Sequence, residues 1–233
     1  YWGYTRGFYF APKASYCATK EPDREFRDMI RALHKAGIEC IMEMYFPKGT
    51  PSLQMIRSLW FWKLYYHVDG FHLLGDGVQQ DVIERDPILY GTKKLFSNVS
   101  GEADSENMLA EYNAGFMLDM RRFLKSDEGM ISGAEFHMRR NTGNFGTVNY
   151  MAAQDGFTLY DTVSYNYRHN EANGEDNRDG SEFNYSWNCG VEGSTRKTAV
   201  RRMREQQMRN AFLMLLLGQG TPMIYGGDEF ANS

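Results

Sequence analysis

The chain is poor in the residues that build metal centres and disulfide frameworks. Its 233 residues include only three cysteines and five histidines. Cys17, Cys40 and Cys189 are scattered, odd in number and without metal-ligand spacing, so neither a metal site nor a disulfide framework is expected. Their scarcity favours a reducing compartment, the cytoplasm. Positive charge is not in excess either: 26 Lys and Arg against 30 Asp and Glu give a net charge of −4, which excludes a general basic surface for nucleic acid. The one basic cluster, "TRKTAVRRMREQQMR" (Thr195–Arg209), mixes acid and glutamine among its bases and reads as the solvated face of a helix. No apolar run approaches the roughly 18 residues of a membrane span. The longest, "AFLMLLLGQG", ends in glycine. Internal repeats, low-complexity tracts, an initiator Met and a signal-peptide pattern are all missing, and the chain opens abruptly on "YWGYTRGFYF", as a segment of a longer protein would.

What is present is a soluble globular composition, 42% hydrophobic and 24% charged, with aromatics high at 15%. Aromatic faces fill cores and also stack on sugar rings. Helix and strand signals alternate, the mark of an α/β protein with a parallel sheet. In "DREFRDMIRALHKAGIECIMEMYF" a helical pattern is stopped by Gly37 and followed by a continuous apolar run, a buried strand. "PSLQMIRSLWFWKLYYHVDGFHLL" repeats the plan, with a helix over 52–66 and a strand over 70–74. Further strands are predicted over 92–99 and over 147–155, the latter ending in an acid. "AEYNAGFMLDMRRFLKSDEG" reads as loop and helix, and a helix over 201–217 precedes a strand in "GTPMIYGGDEF". The Asn- and Gly-rich stretch 164–193 is far longer than an ordinary connection, and long ordered loops are usually functional. No linker divides the chain, so residues 1–233 are expected to form one domain.

Several stretches resemble, in order, the glycogen-debranching and isoamylase branch of glycoside hydrolase family 13, the α-amylase family. They are "YWGY", "EFRDMIRALHKAGIE", "VNYMAAQDGFTLYDTVSYN", "HNEANGEDNRDG" with "SWNCGVEG", and "RNAFLMLLLGQGTPMIYGGDEF". The resemblance implies a (β/α)8 TIM-type barrel with its site at the C-terminal strand ends. It also implies α-glucans or oligosaccharides as ligands. Retaining glycosidases of this kind need two carboxyl groups about 5–5.5 Å apart, one nucleophile and one acid/base. The barrel here is incomplete, starting after most of the second strand, so about six parallel strands are expected. The rest of a parent chain or another protomer would then complete it.

Laid on this chain, the family motifs depart from their pattern at the chemistry. Where the family reads "GFRFD", this chain has "GFHLL", so His72 replaces an arginine and Leu74 the nucleophile. "KLFSNVS" puts Asn98 at the proton-donor position, and "IMEMYFPK" puts Glu43, Pro47 and Lys48 where Asp, Asn and His are usual. In "AQD", Gln154 replaces a histidine and Asp155 remains as the sugar-holding acid. Leu74 has no nucleophilic atom, and Asn98 can hydrogen-bond a glycosidic oxygen but cannot protonate it. The chain therefore reads as a degenerate, inactive relative, a pseudoenzyme that binds α-glucan. One alternative is an active retaining hydrolase with displaced acids, Asp76 and Glu102. Another is a protein-interaction module. Tyr4 matches the family's stacking tyrosine, and His169, Asn170 and Glu171 offer donors and acceptors to sugar hydroxyls or to their own loop. The same reading makes His72 a hydrogen-bonded structural histidine, pairs Lys48 with Glu43, and gives Asp228 and Glu229 a bracing role.

Overall fold

The computed structural model describes residues 4, 5, 7–100 and 105–233. Helix α1 (Pro22–Lys35) opens on a proline where a helix needs no N–H donor, carries Asp23 and Glu25 in its first turn, and has His34 and Lys35 in its last. The chain then turns through Gly37 into β1 (Ile41–Tyr45). Helix α2 (Ser52–Tyr66) ends at His67, which takes the left-handed conformation, and β2 (Gly70–Leu74) follows. A short α3 (Gln80–Glu84), β3 (Lys93–Phe96), β4 (Leu109–Asn113) and α4 (Ala114–Leu124) come next. Helix α5 (Ile131–Arg139), β5 (Gly146–Tyr150), the short α6 (Leu159–Thr162), the long α7 (Thr198–Leu217) and β6 (Thr221–Met223) complete the order. These elements group into two compact units. One holds Tyr1–Tyr112 with Gly143–Gly146, the other Asn113–Thr142 with Thr147–Ser233.

In the first unit β1, β2, β3 and β4 pair in that order, all parallel, with Glu43 level with His72 and His72 level with Leu95. Alternation along β2 sends Phe71 and Leu73 into a core with Met44, Phe46, Leu59, Trp62, Phe96 and Leu109. His72 and Leu74 therefore face the other side. Each fully buried Phe or Leu there stabilises the fold by roughly 2–3 kcal/mol. The turn after β2 lies almost in contact with the end of β1: the amides of Phe46 and Gly77 donate to the carbonyls of Leu74 and Phe46, both at 2.8 Å. Only glycine fits that approach. A Cβ at Gly77 would come within 2.1 Å of the Pro47 carbonyl oxygen, and Gly75 has φ +97° with the Phe46 oxygen 2.4 Å from its missing Cβ.

In the second unit β5 pairs parallel with β6. Its core combines Phe116 and Met120 of α4, Ala134 of α5, Leu159 of α6 and Met208, Ala211 and Leu215 of α7 with Met151 and Ala152.

The six strands among the described residues match the expected number, and α2 and β2 match their expected limits, but four stretches differ from expectation. The third strand stops at Phe96, leaving Asn98 on an exposed bend beyond it. The stretch read as loop before α4 contains β4, whose Leu109 joins the core while Ala110, Glu111 and Tyr112 hide the apolar alternation. Helix α5 was not expected from the sequence. The strand expected over 147–155 ends at Tyr150: Met151 and Ala152 are apolar because they pack in the core as irregular chain, and Asp155 lies on a turn.

Lys94 is fully buried, its ammonium donating to the Leu89 carbonyl and to Asn107 Oδ1, each at 2.8 Å. Burial, with the charge of Lys63 adding to it, pushes its pKa down to about 8. The unfolded chain holds that proton to higher pH, so stability should rise between about pH 8 and the ordinary lysine pKa of about 10.4. Denaturant titrations at pH 7.5 and 10 should show the rise in the native sequence and lose it in Lys94→Met. Gly77→Ala should cost about 2 kcal/mol by the same measurement, because a carbonyl rather than a pliable side chain is in the way.

Candidate functional site

Barrel enzymes place their chemistry at the C-terminal ends of the strands, and the first unit presents there a connected set of side chains. His72, in the middle of β2, is 7% exposed and lies flat on Tyr112 of β4, ring centroids 4.3 Å apart at 27°. Its Nδ1 stands 2.9 Å from Glu43 Oε2 on β1. The other carboxylate oxygen, Oε1, accepts from the Tyr4 hydroxyl at 2.5 Å, and the Tyr4 ring packs on Tyr45 at 5.7 Å. A carboxylate only accepts, so the imidazole donates from Nδ1. Nε2 is buried with no hydrogen-bond partner among the described residues. The expected Lys48–Glu43 ion pair does not form: Lys48 is exposed without an ion pair among the described residues, and the oxygens of Glu43 are engaged by Tyr4 and His72. Leu74, half-buried, is the last residue of β2, and Asp76 is exposed on the turn beyond. Glu102 lies outside the described residues.

The second unit carries Gln154 and Asp155 on the turn that follows β5. Asp155 is exposed, and its carboxylate accepts no hydrogen bond among the described residues, while its backbone oxygen accepts from the Ser181 amide at 3.1 Å. The turn is held from beneath by Arg121 of α4, 3% exposed. The Arg121 guanidinium donates to the carbonyls of Met151 at 2.7 Å, Asn184 at 2.9 Å and Phe157 at 3.2 Å. Burial lowers its pKa to about 10 against the pull of Tyr150, Asp228 and Asp155. The Tyr150 hydroxyl is pushed up to about 12, first by burial and then by the charge of Asp155. Asp228 caps the start of α6, accepting from the Leu159 amide at 2.9 Å, and Glu229 accepts from the Gly227 amide at 2.9 Å.

The long polar loop spends most of its side chains on itself. Asn170 donates to the Asp179 carbonyl, and its amide is received by Asn177 Oδ1. His169 Nε2 is 3.0 Å from Glu192, whose carboxylate also accepts from the amides of Asn166 and Tyr167 and from Asn188 Nδ2. Those bonds outweigh partial burial and hold Glu192 down at about 2. Glu171 is exposed in a single 3-10 turn. Beneath the loop, Arg204 of α7 is 2% exposed and donates to the carbonyls of Ser164, Asn188 and Val191. Nothing in the sequence pattern points to Glu192, Arg121 or Arg204. Arg121 and Arg204 stand among other charges on amphipathic helices, and Glu192 reads as a solvated loop acid. No group of three or more metal-ligating side chains occurs among the described residues.

This arrangement on parallel strand ends, with its long loop, can be set beside known proteins. No family model matches the chain. A glycogen operon protein GlgX homolog of Haemophilus influenzae is 31% identical over 312 aligned positions, covering 100% of this chain and 47% of the relative. The GlgX homolog of Mycobacterium tuberculosis is 30% identical, over 100% of this chain and 43% of its own length, and isoamylase SU1 of maize is 29% identical, over 100% and 42%. The chain thus spans less than half the length of these curated relatives. Among solved structures, the pullulanase of Paenibacillus barengoltzii superposes with a TM-score of 0.67 at 16% identity, over 100% of this chain and 44% of the pullulanase. The catalytic module of the pneumococcal virulence factor SpuA gives 0.66 at 18% identity, over 100% and 40%. The fold is that of an α-amylase-type (β/α) barrel, and the sequence is similar to glycogen-debranching proteins of glycoside hydrolase family 13. Within that family the likeness is to glycogen operon GlgX homologues and isoamylases.

Glu192→Gln should lower stability at pH 7 by about 2 kcal/mol, the worth of hydrogen bonds to an ionised group. Because the folded pKa lies below the ordinary glutamate value, this contribution is present above about pH 4.3 and fades as pH falls toward 2. Melting curves of the two proteins should therefore converge in acid.

Proposed function

We propose that the chain is a non-hydrolytic α-glucan-binding member of the debranching branch. The observation that carries this reading is Leu74 at the C-terminal end of β2, where the family's motif has its nucleophilic aspartate. Asn98, on the bend past β3, stands for the proton donor. Covalent and acid catalysis are lost together, and acid catalysis alone contributes about 10²–10⁴ in rate. Binding draws on what remains: in the first unit the Tyr4 ring, suited to the apolar face of a glucose unit, and in the second unit Asp155 and Gln154, suited to sugar hydroxyls. His169, Asn170 and Glu171 belong to a loop whose shape is fixed mainly by its own hydrogen bonds, so they act chiefly by forming its surface. The names of the relatives, glycogen operon proteins and isoamylases, and the maltohexaose bound by the pullulanase support α-glucan as the ligand.

The test is hydrolysis of a branched α-glucan and of a chromogenic maltooligosaccharide, beside Asp155→Ala prepared identically, with maltohexaose binding measured on both. Binding without turnover, weakened tenfold or more in Asp155→Ala, is the expected result. Turnover that disappears in Asp155→Ala overturns the reading and moves the chemistry to Asp76 and Glu102. A folded protein with neither turnover nor binding overturns it in favour of an interaction module.

A further inference from the structure

We propose that Glu43 and His72 are positioning residues that hold the Tyr4 ring for stacking against a neutral pyranose, an assignment that rests on the glucan-binding reading above. Three side chains form one line from the interior outward. His72 is the fixed end: it is buried and pressed flat against Tyr112. Its Nδ1–H fixes one oxygen of the Glu43 carboxylate, and the other oxygen takes the Tyr4 hydroxyl. Glu43 thus acts with both oxygens already engaged, which suits a bracket better than a proton carrier. Tyr45 supports the Tyr4 ring from the side at 5.7 Å.

A tyrosine grips a sugar by its face, and the grip is firm only if the ring plane is set before the sugar arrives, because immobilising a side chain on binding subtracts from affinity. The hydrogen bond at the far end of the phenol sets that plane, and a carboxylate held at both oxygens cannot follow the phenol if it rotates. The side of β2 that carries His72 ends in Leu74, which adds no charge at that strand end.

Maltohexaose affinity measured by calorimetry tests the chain of contacts. Tyr4→Phe keeps the ring and loses its anchor, and should weaken binding about fivefold, as should Glu43→Ala. The double variant should be no weaker than either single one, because Glu43 acts only through the Tyr4 hydroxyl. His72→Leu should match Glu43→Ala, while His72→Asn, whose side-chain amide can donate where Nδ1 does, should bind within twofold of the native protein. Losses that multiply to about twenty-fivefold in the double variant overturn the proposal, as does a His72→Asn loss equal to that of His72→Leu. Glu43 is exposed, so the cycle with Tyr4 stands even where His72→Leu fails to fold. If maltohexaose does not bind the native protein, the function reading fails, and positioning is then read without ligand from 13C-labelled tyrosine. The Tyr4 ring signals should move in Glu43→Ala and stay in His72→Asn, and signals unmoved by Glu43→Ala overturn the assignment.

Discussion

The backbone contact between the turn after β2 and the end of β1 is the constraint from which the first unit's strand ends take their form. Two carbonyls, those of Phe46 and Pro47, stand where side chains at 75 and 77 would be, and the amides of Phe46 and Gly77 are paired across the same gap. With the backbones locked this closely, neighbouring strands can place Glu43 level with His72 and bring Tyr112 over the imidazole. An extra methylene at either glycine would separate the strands at the height where the Tyr4–Glu43–His72 contacts are made.

The second unit solves a different problem, how to keep long irregular backbone inside a folded protein. Buried carbonyls need donors, and two arginines supply them. Arg121 serves the segment around Asp155, and Arg204 serves the base of the polar loop. Arg121 uses its planar fork to reach carbonyls far apart in sequence, which a lysine's single point of charge could not do, whereas Arg204 reaches its three carbonyls through Nη2 alone. Glu192 completes the arrangement from the acceptor side, collecting amides and side chains from both ends of the loop.

How much of this could be read from the sequence depends on how local the cause is. Helix α2 and strand β2 were legible because Pro51 and the "VDG" turn bracket a continuous apolar pattern, and the family resemblance was carried by stretches such as "HNEANGEDNRDG". Strand β4 was not, because Glu111 and Tyr112 look exposed in sequence and Tyr112 answers to His72 on β2 rather than to a periodicity of its own strand. The run after β5 looked like strand because Met151 and Ala152 are apolar, yet core packing asks only for apolar side chains and not for strand pairing. Of the candidate residues, His72, Leu74 and Asn98 were identified by motif. The partner of His72 was not, since Glu43 was read with Lys48, five residues along the chain, while its actual partner stands on the neighbouring strand. Glu192 and the two buried arginines depend wholly on long-range contacts and left no local trace.

The carbonyl bonds of Arg121 have one more consequence. A turn pinned by an ion pair loosens as salt screens the charges or acid removes one of them. A buried guanidinium bound to three peptide oxygens is held by neutral acceptors and not by an ion pair among the described residues, and it stays protonated through the biological range. The backbone around Asp155 is therefore referenced to the helix behind it in a way that is indifferent to ionic strength. Whatever Asp155 touches meets the same geometry in dilute buffer and in a crowded, salty cell.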